Sequence, residues 1–376
     1  MPETSVPDVG GSPRTADRLT RGIVQPGEVT VAILDAPITI RTNHAAAAAY
    51  LRRLWSRCVV DPASHPPVGE LHLPGSGPTP SREMLLRLTS ELTLAGIDHA
   101  AGTALMLHAA GVALPDGQVI ALVGCSGAGK STAVQRLCGK SVGYGYVTDE
   151  TVAVDPDLRV RPFPKPLALV ESSGDLKAQR APDELELSPA PQRLSLAAVV
   201  FLRRDVNHPD GARVAPLSRL DHLEALVPHT SALTRLSDPV RRLADLVDRC
   251  RGYAVSYREA DALAQVLPDL NLAAPQRPSS SGAADCDAQD PSRRSWLDRV
   301  TEDDVLITSE GGFLLENGRP VRLSEVGLSV WEGLQSGYRG ARLVAHVTAR
   351  HGDHPDAETI VERTRARLAA LDLAGR

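Results

Sequence analysis

A glycine-rich stretch between a predicted strand and a predicted helix carries the clearest chemistry in this sequence. Residues 119–132 run from five apolar residues into G-x-x-x-x-G-K-S, the spacing of a phosphate-binding loop. Glycine takes positive φ without penalty, so the loop can form a nest whose amides face an anion together with the helix N-terminus. The predicted nucleotide-binding residues are Gly124, Cys125, Ser126, Gly127, Ala128, Gly129, Lys130, Ser131 and Thr132.

The residues at the end of this loop have separate expected tasks. Lys130 is expected to reach the β- and γ-phosphates of a nucleoside triphosphate, and the Ser131 hydroxyl to hold Mg²⁺. Thr132 is expected either to pack or to contact the α-phosphate. ATP with Mg²⁺ is therefore the predicted ligand, and the motif does not distinguish ATP from GTP.

Two further features flank the loop at short sequence distance. His108 lies in a predicted strand at 106–114, which a Pro-Asp-Gly turn at 115–117 joins to the strand of the loop, so His108 is expected near the loop. Downstream, Asp149 and Glu150 separate two short predicted strands. Paired acids at a strand end beside a phosphate loop suit Mg²⁺ binding and activation of a hydroxyl group.

These residues resemble a known family. His108, the loop 124–131 and the acid pair 149–150 follow the order and spacing of the HPr serine kinase/phosphorylase core. The chain is more similar still to small HPr-kinase-like proteins from gene clusters for ribosomally made peptide natural products, and the stretch 160–167 resembles their segment after the acids. The resemblance implies an α/β P-loop kinase core and a serine/threonine kinase activity.

The C-terminal part resembles a second family. Three predicted strands, the last two joined by a turn at Asn317-Gly318, precede a helix that Ser324 can cap and two more helices, a winged-helix-like α+β pattern. The stretch from Leu323 to Trp331 is similar to PqqD and other recognition elements of ribosomal peptide pathways. Members of this family bind an unstructured leader peptide as an extra strand beside their third strand and against their last helix. The resemblance therefore implies that the peptide pairs with Pro320–Leu323 and that a helix at 356–371 forms the wall of the binding groove. Trp331 is expected in the core.

Length and composition set the wider limits. At 376 residues the chain is expected to hold two or three domains. A net charge of −5 argues against nucleic acid as a partner, and the absence of a basic stripe disfavours a DNA-reading winged helix. No apolar run reaches the length of a transmembrane helix, so no membrane partner is predicted. The five cysteines do not have the spacing of a metal-binding motif, and the reducing cytoplasm is the predicted compartment. The expected organisation is a disordered tail at 1–20, an N-terminal α+β layer at 21–100, the kinase-like domain at 101–272, a flexible linker at 273–300 and the PqqD-like domain at 301–376.

The two resemblances together imply a kinase that phosphorylates a Ser or Thr of a ribosomal precursor peptide bound through its leader. In such a kinase, Lys130 contacts the transferred phosphate, and Ser131 and Glu150 bind Mg²⁺. Asp149 is the base that accepts the proton of the substrate hydroxyl, or the group that orients this hydroxyl. His108 forms a hydrogen bond to the acid or to the γ-phosphate, and the two acids can exchange roles. A flexible linker would raise the local concentration of the bound peptide. Two alternatives stay open: a nucleotide-binding adaptor that presents the peptide to another pathway enzyme, and a small-molecule kinase. Association into homo-oligomers is also left open.

Overall fold

The computed structural model describes residues 26–75, 77–170, 177–274, 299–301, 304–371 and 373. The tail predicted at 1–20 and most of the linker predicted at 273–300 lie outside these residues. Within them the chain is a mixed α/β protein with several sheets. No helix in the described ranges combines the length and the apolar character needed to cross a bilayer.

The N-terminal layer consists of a small sheet and two helices. Its elements are β1 (Gly27–Ile33), β2 (Ala36–Thr42), α1 (Ala45–Leu54), β3 (Gly69–Leu73) and α2 (Arg82–Ala100). The order in the sheet is β1-β2-β3, with β1 antiparallel and β3 parallel to β2. Trp55, Leu88 and Leu92 are fully buried, and the same apolar cluster reaches Met106 and Phe163 of the central region. The layer is therefore joined to the rest of the protein by a shared core.

The central region contains twelve strands and four helices among the described residues. The strands are β4 (Leu105–Leu107), β5 (Ala109–Ala113), β6 (Gln118–Val123), β7 (Gly145–Thr148), β8 (Val152–Val154), β9 (Val160–Arg161), β10 (Leu167–Leu169), β11 (Ala178–Arg180), β12 (Ser195–Arg204), β13 (Ala212–Pro216), β14 (Thr230–Ser231) and β15 (Arg251–Tyr257). The helices are α3 (Lys130–Cys138), α4 (Arg219–Leu226), α5 (Pro239–Arg249) and α6 (Asp261–Val266).

A six-stranded sheet of order β13-β15-β12-β6-β5-β7 forms the centre of this region. Its strands β15, β12 and β6 are parallel, as the apolar runs at 119–123 and 196–201 predict. Alternate residues of β6 point to opposite faces: Ile120 and Leu122 pack with α3 and α6, whereas Val119 and Val123 pack with α4 and α5. A second sheet of order β14-β4-β8-β9 and a pair β10-β11 complete the region. The prediction of a buried parallel strand leading into the phosphate loop is confirmed.

The strand predicted at 106–114 is two strands in different sheets. Its first part, β4, pairs with β8 and β14, and its second part, β5, pairs with β6 and β7. His108 is the residue between them. The turn that joins β5 to β6 is the predicted one, with Gly117 at φ +89°. The prediction of one continuous strand was wrong because periodicity within a segment does not report a change of sheet.

The C-terminal part places three helices on one face of a small antiparallel sheet. Its elements are β16 (Arg299–Val300), β17 (Leu306–Thr308), β18 (Gly311–Glu316), β19 (Arg319–Leu323), α7 (Glu325–Gln335), α8 (Gly340–His351) and α9 (Ala357–Ala370). The order β16-β17-β18-β19 leaves β19 at one end of the sheet. Strand β16 is one more than the three predicted, and it lies where the linker was expected to end. Trp331 is 6 % exposed and belongs to the core, which confirms the expectation.

The other face of this sheet packs against the central region. Leu306 and Phe313 are buried in the same cluster as the apolar residues of α4 and α5. Both carboxylate oxygens of Asp304 accept hydrogen bonds from the first turn of α5, from the amides of Val240 (2.8 Å) and Arg241 (2.9 Å). The C-terminal part is thus docked on the central region by an apolar face, which the composition of the linker did not predict.

Candidate active site

The phosphate loop joins the buried end of β6 to the first residue of α3. At Gly124 a Cβ would lie 2.8 Å from the Cβ of Ala128, so a side chain there would prevent the loop from closing. Gly129 precedes α3 with a φ of +87°, a conformation that favours glycine. The first amides of a helix have no partner within the helix, and here they begin directly after the loop. The glycine conformations and the helix start that the predicted anion nest requires are therefore present, and the binding of an anion there stays a prediction.

The side chain of Lys130 folds back over the loop. Its Nζ donates hydrogen bonds to the carbonyl oxygens of Gly124 (2.5 Å) and Cys125 (3.4 Å). Burial lowers the pKa of Lys130, and Cys125, Asp149 and Glu150 act in the opposite direction. The ammonium group thus contacts the loop and is close enough to both acids for their charges to oppose this lowering of its pKa.

The acid pair lies in the turn between β7 and β8, beside the start of α3. The Ser131 hydroxyl donates a hydrogen bond to Oδ2 of Asp149 at 3.1 Å. The two acids differ in exposure, since the side chain of Asp149 is 5 % exposed and that of Glu150 is 32 % exposed. The structure therefore brings Lys130, Ser131 and both predicted acids into one cluster and separates the acids into an inner and an outer carboxylate.

A buried lysine completes the cluster and was not predicted. The Nζ of Lys165 lies 2.8 Å from Oδ1 of Asp149 and 3.1 Å from Oε2 of Glu150. Burial alone lowers the pKa of Lys165, but the attraction of the two carboxylates outweighs it, and the pKa is raised. The Tyr146 hydroxyl supports both groups, because it donates to the Lys165 carbonyl oxygen at 2.9 Å and lies 3.4 Å from Oδ1 of Asp149. The signal in the sequence was a lysine between two prolines shortly after the acids.

Two histidines lie at the outer side of the site. The backbone amide of His108 donates to the carbonyl oxygen of His229 at 2.7 Å, which ties β4 to the turn before β14. Burial lowers the pKa of each imidazole, and the charge of Lys130 lowers both further. The charges of Asp149 and Glu150 act in the opposite direction and raise the pKa of His108. His108 lies near the loop as predicted, whereas His229 was missed because it is far from the loop in the sequence and belongs to no motif.

The remaining predicted residues occupy the rim of the loop. Cys125, Ser126 and Thr132 are exposed, so of the two expectations for Thr132 the structure does not show packing, and contact with the α-phosphate stays a prediction. Arg204, at the end of β12, lies beside the loop, since a Cβ on Gly129 would be 3.9 Å from its Cδ. Its Nε donates to the carbonyl oxygen of Arg258 at 3.0 Å. Arg204 therefore borders the phosphate site with part of its hydrogen-bonding capacity already used.

The donor set fits a magnesium-bound triphosphate. The loop and the first turn of α3 supply the ammonium group of Lys130, the hydroxyl group of Ser131 and backbone amides. The carboxylate of Asp149 lies next to this hydroxyl. Among the described residues there is no group of three or more His, Cys, Asp and Glu side chains arranged to hold a metal ion. Mg²⁺ in sites of this kind takes one or two protein ligands and completes its shell with phosphate oxygens and water, so Ser131 and one acid suffice.

Comparison with known proteins does not identify the chain. No protein-family model matches it, and no curated protein matches it. The resemblance to the HPr kinase core and to PqqD therefore stays an expectation from the sequence motifs.

Proposed function

We propose that this chain is an ATP-dependent kinase that phosphorylates a Ser or Thr hydroxyl of a ribosomally made precursor peptide. The observation that supports this most is the convergence of Lys130 and Ser131 of the phosphate loop with one buried and one accessible carboxylate. Phosphoryl transfer needs chiefly positioning and neutralisation of charge, and these four side chains supply both.

On the donor side, Lys130 and the amides of the loop bind the β- and γ-phosphates of ATP. Ser131 and Asp149 would hold Mg²⁺, which would neutralise phosphate charge. This assigns the metal to Asp149 rather than to Glu150, the reverse of the first expectation. The reason is geometric: Asp149 is buried and accepts from Ser131 at 3.1 Å, whereas Glu150, which shares the contact with Lys165, is the acid that a substrate can reach.

On the acceptor side, Glu150 receives the substrate hydroxyl. Its side chain is 32 % exposed, so an incoming peptide can reach it. The hydroxyl oxygen forms a bond to the γ-phosphorus as the bond from phosphorus to the ADP oxygen breaks, and the hydroxyl proton passes to the Glu150 carboxylate. His108, beside the backbone of Glu150, orients this group or the transferred phosphate.

The C-terminal sheet supports a peptide as the acceptor. Strand β19 ends the sheet, and an edge strand presents unpaired amide and carbonyl groups that an extended peptide can complete. This edge strand lies against the turn Val227–His229, whose last residue bonds to His108. A leader bound along β19, with α9 as the groove wall that the resemblance implies, would therefore lie close to the segment that contacts His108. This proximity favours a peptide kinase over a kinase for small molecules.

Incubation of the full-length protein with ATP, Mg²⁺ and the precursor encoded beside it tests the proposal. We expect the peptide to gain about 80 Da, the mass of HPO₃, on one Ser or Thr. An excess of the isolated leader is expected to slow this reaction without slowing the phosphorylation of a leaderless peptide. Nucleotide binding without any mass gain, together with pathway product that survives Glu150→Gln, would instead identify an adaptor.

A further inference from the structure

Lys165 is a buried cation in contact with both carboxylates of the site. Its side chain is 4 % exposed, and its Nζ lies 2.8 Å from Asp149 and 3.1 Å from Glu150. A third contact, to the carbonyl oxygen of Pro166 at 3.3 Å, uses a further hydrogen of the ammonium group. A buried ammonium group is stable only when it is paired in this way.

The surroundings fix Lys165 in place. Pro164 and Pro166 restrict the backbone on both sides, and Phe163 is fully buried. The Tyr146 hydroxyl bonds the backbone carbonyl oxygen of Lys165 at 2.9 Å and is itself buried. Lys165 therefore differs from Lys130, whose Nζ is bonded to loop carbonyl oxygens that a phosphate group would displace. One lysine faces the ligand, and the other belongs to the protein interior.

We infer that Lys165 is a built-in counter-ion that keeps the acid pair from binding a divalent cation strongly without nucleotide and keeps Asp149 turned towards Ser131. Two carboxylates within reach of one Nζ carry a formal charge of −2, which would attract a metal ion even without nucleotide. The acid pair together with Lys165 carries −1, and strong metal binding by the acid pair then requires the phosphate oxygens of ATP. Lys165 is thus a positioning residue, and the inference rests on the proposed function only for the identity of the metal-bound nucleotide.

Manganese binding to the nucleotide-free, full-length protein tests the inference, with free Mn²⁺ measured by electron paramagnetic resonance. We expect Lys165→Met to bind Mn²⁺ on the order of tenfold more tightly than the wild type, because two carboxylates lose their counter-charge. The double variant Lys165→Met/Glu150→Gln restores the charge of −1 and is expected to return the affinity to the wild-type value.

The exposed Lys140 provides the matched control. It forms an ion pair with Glu186 in which both side chains are 70 % exposed, and Lys140→Met should leave Mn²⁺ binding unchanged. If Lys165→Met binds Mn²⁺ no more tightly than the wild type, or if the double variant does not reverse the change, the inference is wrong. Should the single variant fail to fold, the double variant decides: folding with wild-type Mn²⁺ affinity supports the counter-ion role, and failure to fold overturns it.

These outcomes are independent of the kinase reaction. A protein that phosphorylates no peptide can still show the charge-dependent Mn²⁺ binding, and an active kinase can lack it. A separate kinetic readout applies to the active enzyme: Lys165→Met is expected to lower kcat more than tenfold while the KM for ATP changes little, because the phosphate loop is intact.

Discussion

At the scale of single residues, the two acids of the site are distinguished by what they touch. Asp149 is buried between Ser131 and Lys165, and Glu150 faces the solvent side of the same cluster. Two acidic residues at adjacent positions can therefore have different roles, because a carboxylate next to the loop hydroxyl suits a metal ion and an accessible one suits a substrate. This difference leads to a test by paired amide substitutions.

We expect Glu150→Gln to lower kcat by about 10²–10⁴ with little change in the Mg²⁺ concentration needed for half-maximal rate, since it removes a proton acceptor. Asp149→Asn should raise that Mg²⁺ requirement as well as lower kcat, since it removes a charged ligand. Steady-state rates over a Mg²⁺ titration measure both effects. The opposite pattern, with the Mg²⁺ requirement raised only in Glu150→Gln, would restore the roles first expected from the sequence.

A second residue-scale prediction concerns the buried His222. Burial lowers its pKa to about 4, its Nε2 has no hydrogen-bond partner among the described residues, and its ring meets the edge of Phe201. In the unfolded chain the imidazole takes up a proton near pH 6.5, so between about pH 6.5 and 4 the unfolded state binds more protons. The free energy of unfolding should therefore fall on acidification through this window, by on the order of 3 kcal/mol at its lower end.

Urea unfolding at a series of pH values measures this dependence, with His222→Leu as the comparison. The leucine has a similar size and no titrating group, so its unfolding free energy should fall less across the same window. Parallel pH profiles for the two proteins would show that other groups cause the acid sensitivity.

At the scale of secondary-structure elements, helix α5 begins with a cap from a distant part of the chain. Asp238 precedes the helix, but its side chain makes no capping hydrogen bond. Asp304 supplies the two acceptors instead, to the amides of Val240 and Arg241. The helix end therefore depends on the docking of the C-terminal sheet.

We expect Asp304→Ala to lower the free energy of unfolding by about 1–2 kcal/mol, the usual loss for a removed N-cap. Asp238→Ala is the matched control at the same helix end and should cost clearly less, because no capping bond is lost. Chemical denaturation of both variants gives the comparison. Equal losses would mean that Asp304 does not cap α5 in solution.

At the scale of the whole molecule, the apolar face that carries Leu306 and Phe313 joins the C-terminal part to the central core. A shared core of this kind couples the unfolding of both parts. Two variants test this, one that keeps only Trp331 and one that keeps only Trp55, with the other tryptophans replaced by Phe. We expect the fluorescence of both variants to change at the same thermal midpoint. Trp55 reports the N-terminal layer and Trp331 the C-terminal core.

Separate midpoints for the two tryptophans would show that the C-terminal part unfolds alone and that the docking is weak.

Truncation after Leu272 gives a complementary result. Because it uncovers the apolar surface that Phe313 covers, the truncated protein is expected to bind more of a hydrophobic dye and to melt at a lower temperature than the full chain.

The sequence by itself determined the features that depend on neighbouring residues. Glycine spacing specified the phosphate loop and its helix, apolar runs specified the parallel strands, and turn residues at 115–117 and 317–318 specified two hairpins. The candidate residues His108, Lys130, Ser131, Asp149 and Glu150 also followed from local motifs. Loops and strands of this kind are encoded by backbone preferences that act over a few positions.

Only the tertiary structure decided which groups meet. Lys165 pairs with the acids, His229 lies beside His108, and Leu306 packs against the central helices. Each of these contacts joins elements whose relative placement depends on how the sheets stack, and no periodicity or motif within a segment carries that information. Burial and the contact with Ser131 then separated two adjacent carboxylates that the sequence could not tell apart.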